Sequence, residues 1–332
     1  MGVEGLIPQL RKVDAVRRWR DGCLRGAAVG VDACWFMYRE LAAMKNVKTA
    51  TGRPQGHIIG WLRLVHQLVV RCGVRLVVAV WDSDTEPEKR QRWLSKRPPQ
   101  PPRPLNQQQL EALAASQANW RKMVKDARAL LDALGMLNVD AKVNAEAQLA
   151  WLSKHNRIDF AFSADSDCLA YGVKKLVLVN TNGDTAWEVV ELDDVCERLR
   201  LTYHQFVLMC VLLGNDYSRK IMSAKKVSDY RKRHAFESVD EVFGNTIMQC
   251  QSDDECALHR RVHREASRAF EIYTDPDVYV LELPHAAPSY DGALRVLADY
   301  DMCDNVQTPR VNDVFAKRKE AAAVAAAAAA AA

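Results

Sequence analysis

Apolar positions along the chain alternate between short continuous runs and helical spacings. Residues 27–31 (AAVGV) and 75–81 (RLVVAVW) are nearly unbroken apolar runs, as in strands covered on both faces, and each ends in an aspartate, Asp32 and Asp82. Ile158, Phe160 and Phe162 recur with period two and lead into Asp165 and Asp167. Helical spacing is predicted over Trp35–Met44, over His57–Cys72 with Ile58, Leu62, Val65 and Val69 on one face, and over Leu105–Gly135, where the glycine suits a C-terminal cap. Ala145–Lys154 reads as an amphipathic helix carrying Glu146, residues 136–143 as a short strand, and Lys175–Asn180 with Ala186–Val190 as a hairpin about TNGD. From Leu192 the pattern is helical through Phe206–Leu213 into Gly214, Asn215, Asp216 and Tyr217, and a further helix is expected over Arg260–Tyr273. Residues 1–26 read as a short helix (Ile7–Leu10) and a basic connection; beyond Pro284 the signals thin out, and Ala321–Ala332 is low-complexity. Apolar strands alternating with helices predict an α/β fold with a mostly parallel sheet.

Composition narrows the class. A chain of 332 residues, 48% hydrophobic and 27% charged, has the balance of an ordinary globular protein with one large domain or a domain plus a helical appendage. No apolar run reaches the roughly 18 residues a membrane span needs, and the N-terminus has no secretory h-region. Leu6 stands where a myristoylation signal needs Ser or Thr. Nine cysteines without a C-x-x-C spacing, several in apolar runs, indicate buried reduced thiols and an intracellular location. The net charge of +4 is small, but its distribution is uneven. Cations gather in Asp84–Pro104, a charged then proline-rich stretch projecting from the sheet edge, and in residues 219–234, while acids gather at strand ends.

Those acids are the candidate chemistry. An Asp-Ser-Asp after a strand is either a turn with a helix N-cap or a pair of carboxylates on one side of an extended chain. Ligands of open α/β sheets bind beyond the carboxyl ends of the strands, where Asp32, Asp82, Asp165 and Asp167 converge if the strands are neighbours, with Glu146 and Asp216 able to join them. So many carboxylates in one crevice repel by several kcal/mol unless divalent cations sit among them. All-oxygen ligation suits Mg²⁺ or Mn²⁺, and two such ions roughly 4 Å apart serve in-line displacement at phosphorus.

The segments MGVEGL, VDACWFMY, VWDSDTEPEKRQR, NAEAQLAWL, SADSDCLAYG and LLGNDYS, in that order, resemble the successive motifs of the flap endonuclease and XPG-type 5′ nucleases, including exonuclease 1-like enzymes, over about residues 1–285. The resemblance implies a PIN-like α/β fold with a helical arch, a helix-two-turn-helix region, and two Mg²⁺ ions that cut DNA near a 5′ flap or end. It divides the chain into an N-terminal nuclease region (1–95), an arch and connecting helix (96–135), an internal region with the acidic site (136–240), C-terminal core helices (241–285) and a tail (286–332). By position it makes Asp32, Asp82, Glu146, Asp165, Asp167 and Asp216 metal ligands and Lys89 and Lys96 catalytic cations on the scissile phosphate. Gly2, Tyr38, Arg90, Lys225 and Lys226 become substrate-binding residues, with Tyr38 stacking on a base and the basic block on duplex phosphates.

Four departures qualify the resemblance. Asn144 stands where the acidic motif has its first glutamate, and offers a carbonyl oxygen without charge; Asp84 is the nearest substitute acid. Ser83 replaces a glycine, and IMSAKK (221–226) lacks the glycine turn that lets the backbone approach phosphate and a monovalent cation. Near Gln307, Arg310 occupies an aliphatic position of the sliding-clamp motif, so no clamp contact is expected. The resemblance implies a monomer acting on DNA in replication, repair or recombination, in a nucleus or at a site of viral DNA replication. Two other functions stay open: an RNA-directed nuclease of the same superfamily, and a catalytically impaired nucleic-acid-binding scaffold.

Overall fold

The computed structural model describes residues 2–19, 21–83, 107–178, 187–247, 253–283 and 288–331, which form an α/β fold. The proline-rich stretch with Lys89, Arg90 and Lys96, the acid Asp84, and the TNGD turn lie outside the described residues. Two compact units interleave along the chain. One is drawn from Met1–Arg20, Asp82–Pro99 and Asp140–Leu281, the other from Asp21–Trp81, Gln100–Val139 and Glu282–Ala332.

The first unit holds α1 (Leu6–Lys12), β1 (Val16–Trp19), α5 (Ala145–Lys154), β5 (Phe160–Phe162), α6 (Asp167–Tyr171), β6 (Lys175–Leu178) and β7 (Trp187–Glu191). The helices α7 (Leu192–Leu199), α8 (Tyr203–Leu213), α9 (Ala224–Arg231), α10 (Val239–Ile247) and α11 (Asp253–Thr274) follow. Its strands are bonded in the order β1-β7-β6-β5. β5 and β6 are parallel, while β6 and β7 form the expected antiparallel hairpin. β1 was not foreseen: VRRW reads as a basic connection, yet it pairs antiparallel with β7. Its arginines face outward at a sheet edge, with Arg17 on Asp194 at 2.6 Å, and charge at an edge discourages further strand pairing.

The second unit holds β2 (Ala28–Asp32), α2 (Ala33–Ala43), α3 (Gly56–His66) with a π-helical extension (Gln67–Arg71), β3 (Leu76–Trp81), α4 (Gln107–Ala133), β4 (Leu137–Asp140), α12 (Tyr290–Asp299) and α13 (Gln307–Ala331). Its strands run β2-β3-β4, with β2 and β3 parallel. Val29, Val31 and Val77–Val80 are buried, as the continuous runs require, and Trp61 packs against Phe36 and Trp81. Each such side chain contributes about 1.5–3 kcal/mol by leaving water. The segment beyond Pro284 is no loose tail. α12 packs on α4 and α13 on α3, burying Ala293, Leu297, Val311 and Val314, and the Arg318 guanidinium covers Gly135 at the end of α4. No helix among the described residues is long and apolar enough to cross a membrane.

His57 on α3 is fully buried, and its ring nitrogens have no hydrogen-bond partner among the described residues. It lies edge-on to Tyr300, whose hydroxyl donates to Asp126 at 2.6 Å, and Lys122 pairs with that same carboxylate. Burial lowers the His57 pKa from 6.5 to about 4, outweighing the opposing attraction of Asp126. The unfolded chain therefore takes up a proton near pH 6.5 that the folded chain refuses until about pH 4. Stability is full above the higher value and is lost as pH falls between the two, by about 3 kcal/mol. Urea unfolding at pH 7.5 and pH 5 is expected to record about 2 kcal/mol of that drop, and His57→Leu to flatten it.

Candidate metal centre and nucleic-acid face

The acidic centre of the first unit is assembled by turns. After β5, Ser163 Oγ accepts from Asp165 N–H at 3.0 Å, and Asp165 Oδ1 accepts from Asp167 N–H at 2.9 Å. The segment is a turn entering α6 and not extended chain: one oxygen of Asp165 closes the turn, and a carboxylate has a second oxygen for another task. Asp165 is 4% exposed and Asp167, opening α6, 1%. Asp216 arrives from the loop after α8. Buried Asn215 shapes that loop, its Oδ1 accepting from Tyr217 N–H at 2.8 Å and Ser218 N–H at 2.9 Å. Ligand oxygens of Asp165, Asp167 and Asp216 lie within 4.8 Å of one another.

The N-terminal segment is seated on the same turn. Val3 N–H donates to Ser166 Oγ at 2.9 Å, and Glu4 N–H donates to the Gly214 carbonyl at 2.8 Å. Gly2 has φ +93, and a Cβ there would fall 2.2 Å from Asp165 Oδ1. Only glycine fits against the aspartate in this way.

Glu146 and Asp82 bracket the start of α5. Glu146 is 5% exposed in its first turn, and Asp82 Oδ1 accepts from Ala145 N–H at 2.8 Å. Neither belongs to the close group of three. Asn144 caps α5, its Oδ1 accepting from Ala147 N–H at 2.8 Å, while its Nδ2 donates to the hydroxyls of Tyr171 and Tyr217. The carbonyl oxygen expected to serve a metal is the cap acceptor. Asp32, in the second unit, caps α2 by accepting from Trp35 N–H at 3.1 Å.

Two aromatic and basic features bear on nucleic acid. Tyr38 on α2 is 61% exposed and stacks on Trp120 of α4, with ring centroids 4.2 Å apart and planes 13° from parallel. Trp120 carried no signal of its own in the sequence; only the fold brings it to Tyr38. In the basic block, Lys225 and Lys226 are exposed on α9. Several of the other cations brace the fold: Arg219 makes a bidentate pair with Glu265 at 2.9 Å, and Arg231 donates to the carbonyls of Leu199 and Arg200. The surface available for phosphate is thus narrower than the charge run implies.

Residues 135–216 match the XPG I-region family model. Over 278 residues the chain is 26% identical to flap endonuclease 1 of Cryptosporidium parvum, covering 74% of this chain and 56% of that protein. It is 26% identical over 324 residues to flap endonuclease 1-A of Xenopus laevis, covering 90% of this chain and 81% of the relative. The chain thus spans about half the length of the former. Among solved structures, the flap endonuclease-1 of Methanococcus jannaschii superposes with a TM-score of 0.68 at 18% identity, covering 95% of this chain and 100% of that one. The catalytic core of Rad2 in complex with DNA substrate gives 0.67 at 19% identity, covering 93% and 100%. These likenesses agree with the α/β fold.

Proposed function

We propose, since this chain belongs to the XPG-type 5′ nuclease family, that it is a Mg²⁺-dependent nuclease hydrolysing DNA phosphodiesters near 5′ flaps or 5′ ends. The observation that carries the reading is the close trio of buried Asp165 and Asp167 with half-buried Asp216. Three carboxylates with oxygens within 4.8 Å form a hard, all-oxygen donor set that fits a divalent cation. Asp82 and Glu146 are the further acids of the first unit for a second ion, and Asp32 is assigned to a metal by the resemblance alone. Bound there, Mg²⁺ supplies positive charge opposite the phosphoryl oxygens as the transition state forms.

The chain's own residues do the rest. Asp165 and Asp167 are held by the turn after β5, so the donor geometry exists before substrate arrives. Gly2 keeps the N-terminal segment against Asp165 without a side chain. Lys89 and Lys96 are the cations assigned to the scissile phosphate, and Arg90 to the neighbouring backbone. Tyr38, already stacked on Trp120, offers an aromatic face to a base at the junction. Lys225 and Lys226 hold duplex phosphates without reading sequence. A DNA substrate places the work in replication, repair or recombination, by a monomer in the compartment that holds the DNA.

Cleavage of a 5′-flap DNA and of single-stranded RNA, at equal salt with Mg²⁺ or with EDTA, tests the proposal. Mg²⁺-dependent cutting of the flap is expected. Faster cutting of the RNA supports an RNA-directed nuclease, and tight binding of the flap without cutting supports a scaffold.

Changing Lys225 and Lys226 together to alanine is expected to weaken flap-DNA binding while leaving the saturated cleavage rate within about threefold. The slope of log affinity against log salt falls by about 2, one for each phosphate no longer neutralised. Fluorescence anisotropy from 50 to 200 mM KCl reads both; an unchanged slope returns these lysines to a solvated face.

A further inference from the structure

Tyr38 and Trp120 form an aromatic pair at the surface of the second unit, and core packing does not explain it. Phe36 and Met37 of α2 are 1% and 0% exposed, Phe36 against Trp61, whereas Tyr38, the next residue, is 61% exposed. Its ring nevertheless lies almost parallel to the Trp120 indole, with planes 13° apart and centroids at 4.2 Å. An exposed tyrosine on a helix ordinarily moves among rotamers within nanoseconds. A flat partner at stacking distance confines it to the rotamer that keeps the two faces together.

The core sets the separation of the two rings. Tyr38 is carried by α2 and Trp120 by α4, and α3 packs against both helices. Ile58, Trp61, Leu62 and Val65 of α3 are fully buried, so the two backbones are held apart at a fixed distance before any substrate is present. Within the pair the exposure is unequal: Trp120 is half-buried and Tyr38 mostly in solvent. One ring is placed as a support and the other as a contact surface. A nucleobase is a flat π-system that stacks on an exposed aromatic ring whatever its sequence, and each such stack is worth roughly 10-fold in affinity.

We infer that Trp120 is a positioning residue for the substrate: it backs the Tyr38 ring on one face, so that the solvent side of that ring is presented to an unpaired or terminal base, and does not itself touch the DNA. This role presupposes that Tyr38 takes a base, and it is independent of the acids of the first unit. Fixing a side chain before binding removes the cost of ordering it afterwards, so loss of Trp120 shows in affinity for the DNA and in the stacking of the base, not in the cutting step.

The test uses the whole protein in EDTA, which keeps the DNA intact, and flap duplexes carrying 2-aminopurine in turn at each position beside the junction. Stacking on an aromatic ring quenches this base, which is excited where tryptophan does not absorb. The wild-type protein is expected to quench one of these positions, and Tyr38→Ala to abolish the quench. Trp120→Ala keeps Tyr38 and removes its support; it is expected to lose at least about half of the quench and to weaken flap binding about 3- to 10-fold. Trp120→Phe keeps a flat partner and is expected to bring both within about twofold of wild type. In Mg²⁺ the saturated cleavage rate of Trp120→Ala is expected within about threefold of wild type, with a raised KM. A quench in Trp120→Ala equal to that of wild type overturns the inference and leaves Tyr38 as a base contact. A loss in Trp120→Phe as large as in Trp120→Ala also overturns it, because sensitivity to any change at position 120, and not a flat supporting face, then accounts for both. No quench by the wild-type protein at any position, or a quench that survives Tyr38→Ala, overturns the base contact of Tyr38 and this role with it, while Mg²⁺-dependent cutting stands or falls on its own.

Discussion

Replacing Asp167 with asparagine is expected to lower single-turnover cleavage of a 5′-flap DNA by at least about 10³-fold, a loss of roughly 4 kcal/mol of transition-state stabilisation. The substitution keeps shape and removes one charge from the trio whose oxygens lie within 4.8 Å of one another. At that separation each pair of carboxylates repels by about 3 kcal/mol in a partly screened interior, an upper figure for the net effect. Repulsion of that size makes the site attractive to a dication and unfavourable without one. The variant should therefore melt at a higher temperature than wild type in EDTA and gain less from added Mg²⁺. That opposite movement of stability and activity separates loss of a ligand from simple misfolding, in which both fall. Melting by circular dichroism with and without Mg²⁺, beside the rate, checks it.

Gly2→Ala is the second large effect. The added Cβ would lie 2.2 Å from Asp165 Oδ1 and 2.6 Å from Ser166 Oγ, at φ +93. Such close approach forces either the N-terminal segment or the Asp165 turn to move. Because a displacement of about 1 Å at a reacting centre can cost 10²-fold, cleavage is expected to fall about 10- to 100-fold. Gly5→Ala provides the control. Gly5 has φ +70, so the backbone strain is comparable, yet its Cβ would meet nothing within 4 Å. Gly5→Ala is expected to lose about 1 kcal/mol of stability and less than about threefold in rate. Equal rate losses in the two variants would show that strain in the segment, and not the clash with Asp165, is responsible.

The parts of the fold that were readable from the chain are those governed by local pattern. Val77–Val80 and Phe160–Phe162 declare buried strands because every position or every second one is apolar, and the aspartates beyond them mark strand ends. β1 was missed because an edge strand need bury little, and two of its four residues are arginine. α12 and α13 were missed because their apolar faces are short and make sense only against α4 and α3.

At the site, the trio Asp165, Asp167 and Asp216 was identifiable as acids at element ends, but the role of Asn144 was not. Its amide partners lie 27 and 73 residues away, and hydrogen-bond partners at that separation leave no periodic trace. Nothing local distinguishes a ligand carbonyl from a capping one. The stack of Tyr38 on Trp120 is hidden for the same reason. The basic block was read too broadly, since charge counts along a helix do not say that Arg219 already pairs with Glu265.

If Asp165, Asp167 and Asp216 hold the divalent ion with which the proposed nuclease cuts DNA, cutting must follow the ion. Single-turnover cleavage of a 5′-labelled flap duplex by the wild-type protein, over a Mg²⁺ titration starting from EDTA, measures this. No cutting is expected in EDTA, and the rate is expected to rise with Mg²⁺ to saturation, with the cut near the flap junction. Cutting that persists undiminished in EDTA, or none at any Mg²⁺ concentration despite bound DNA, excludes a metal-dependent nuclease.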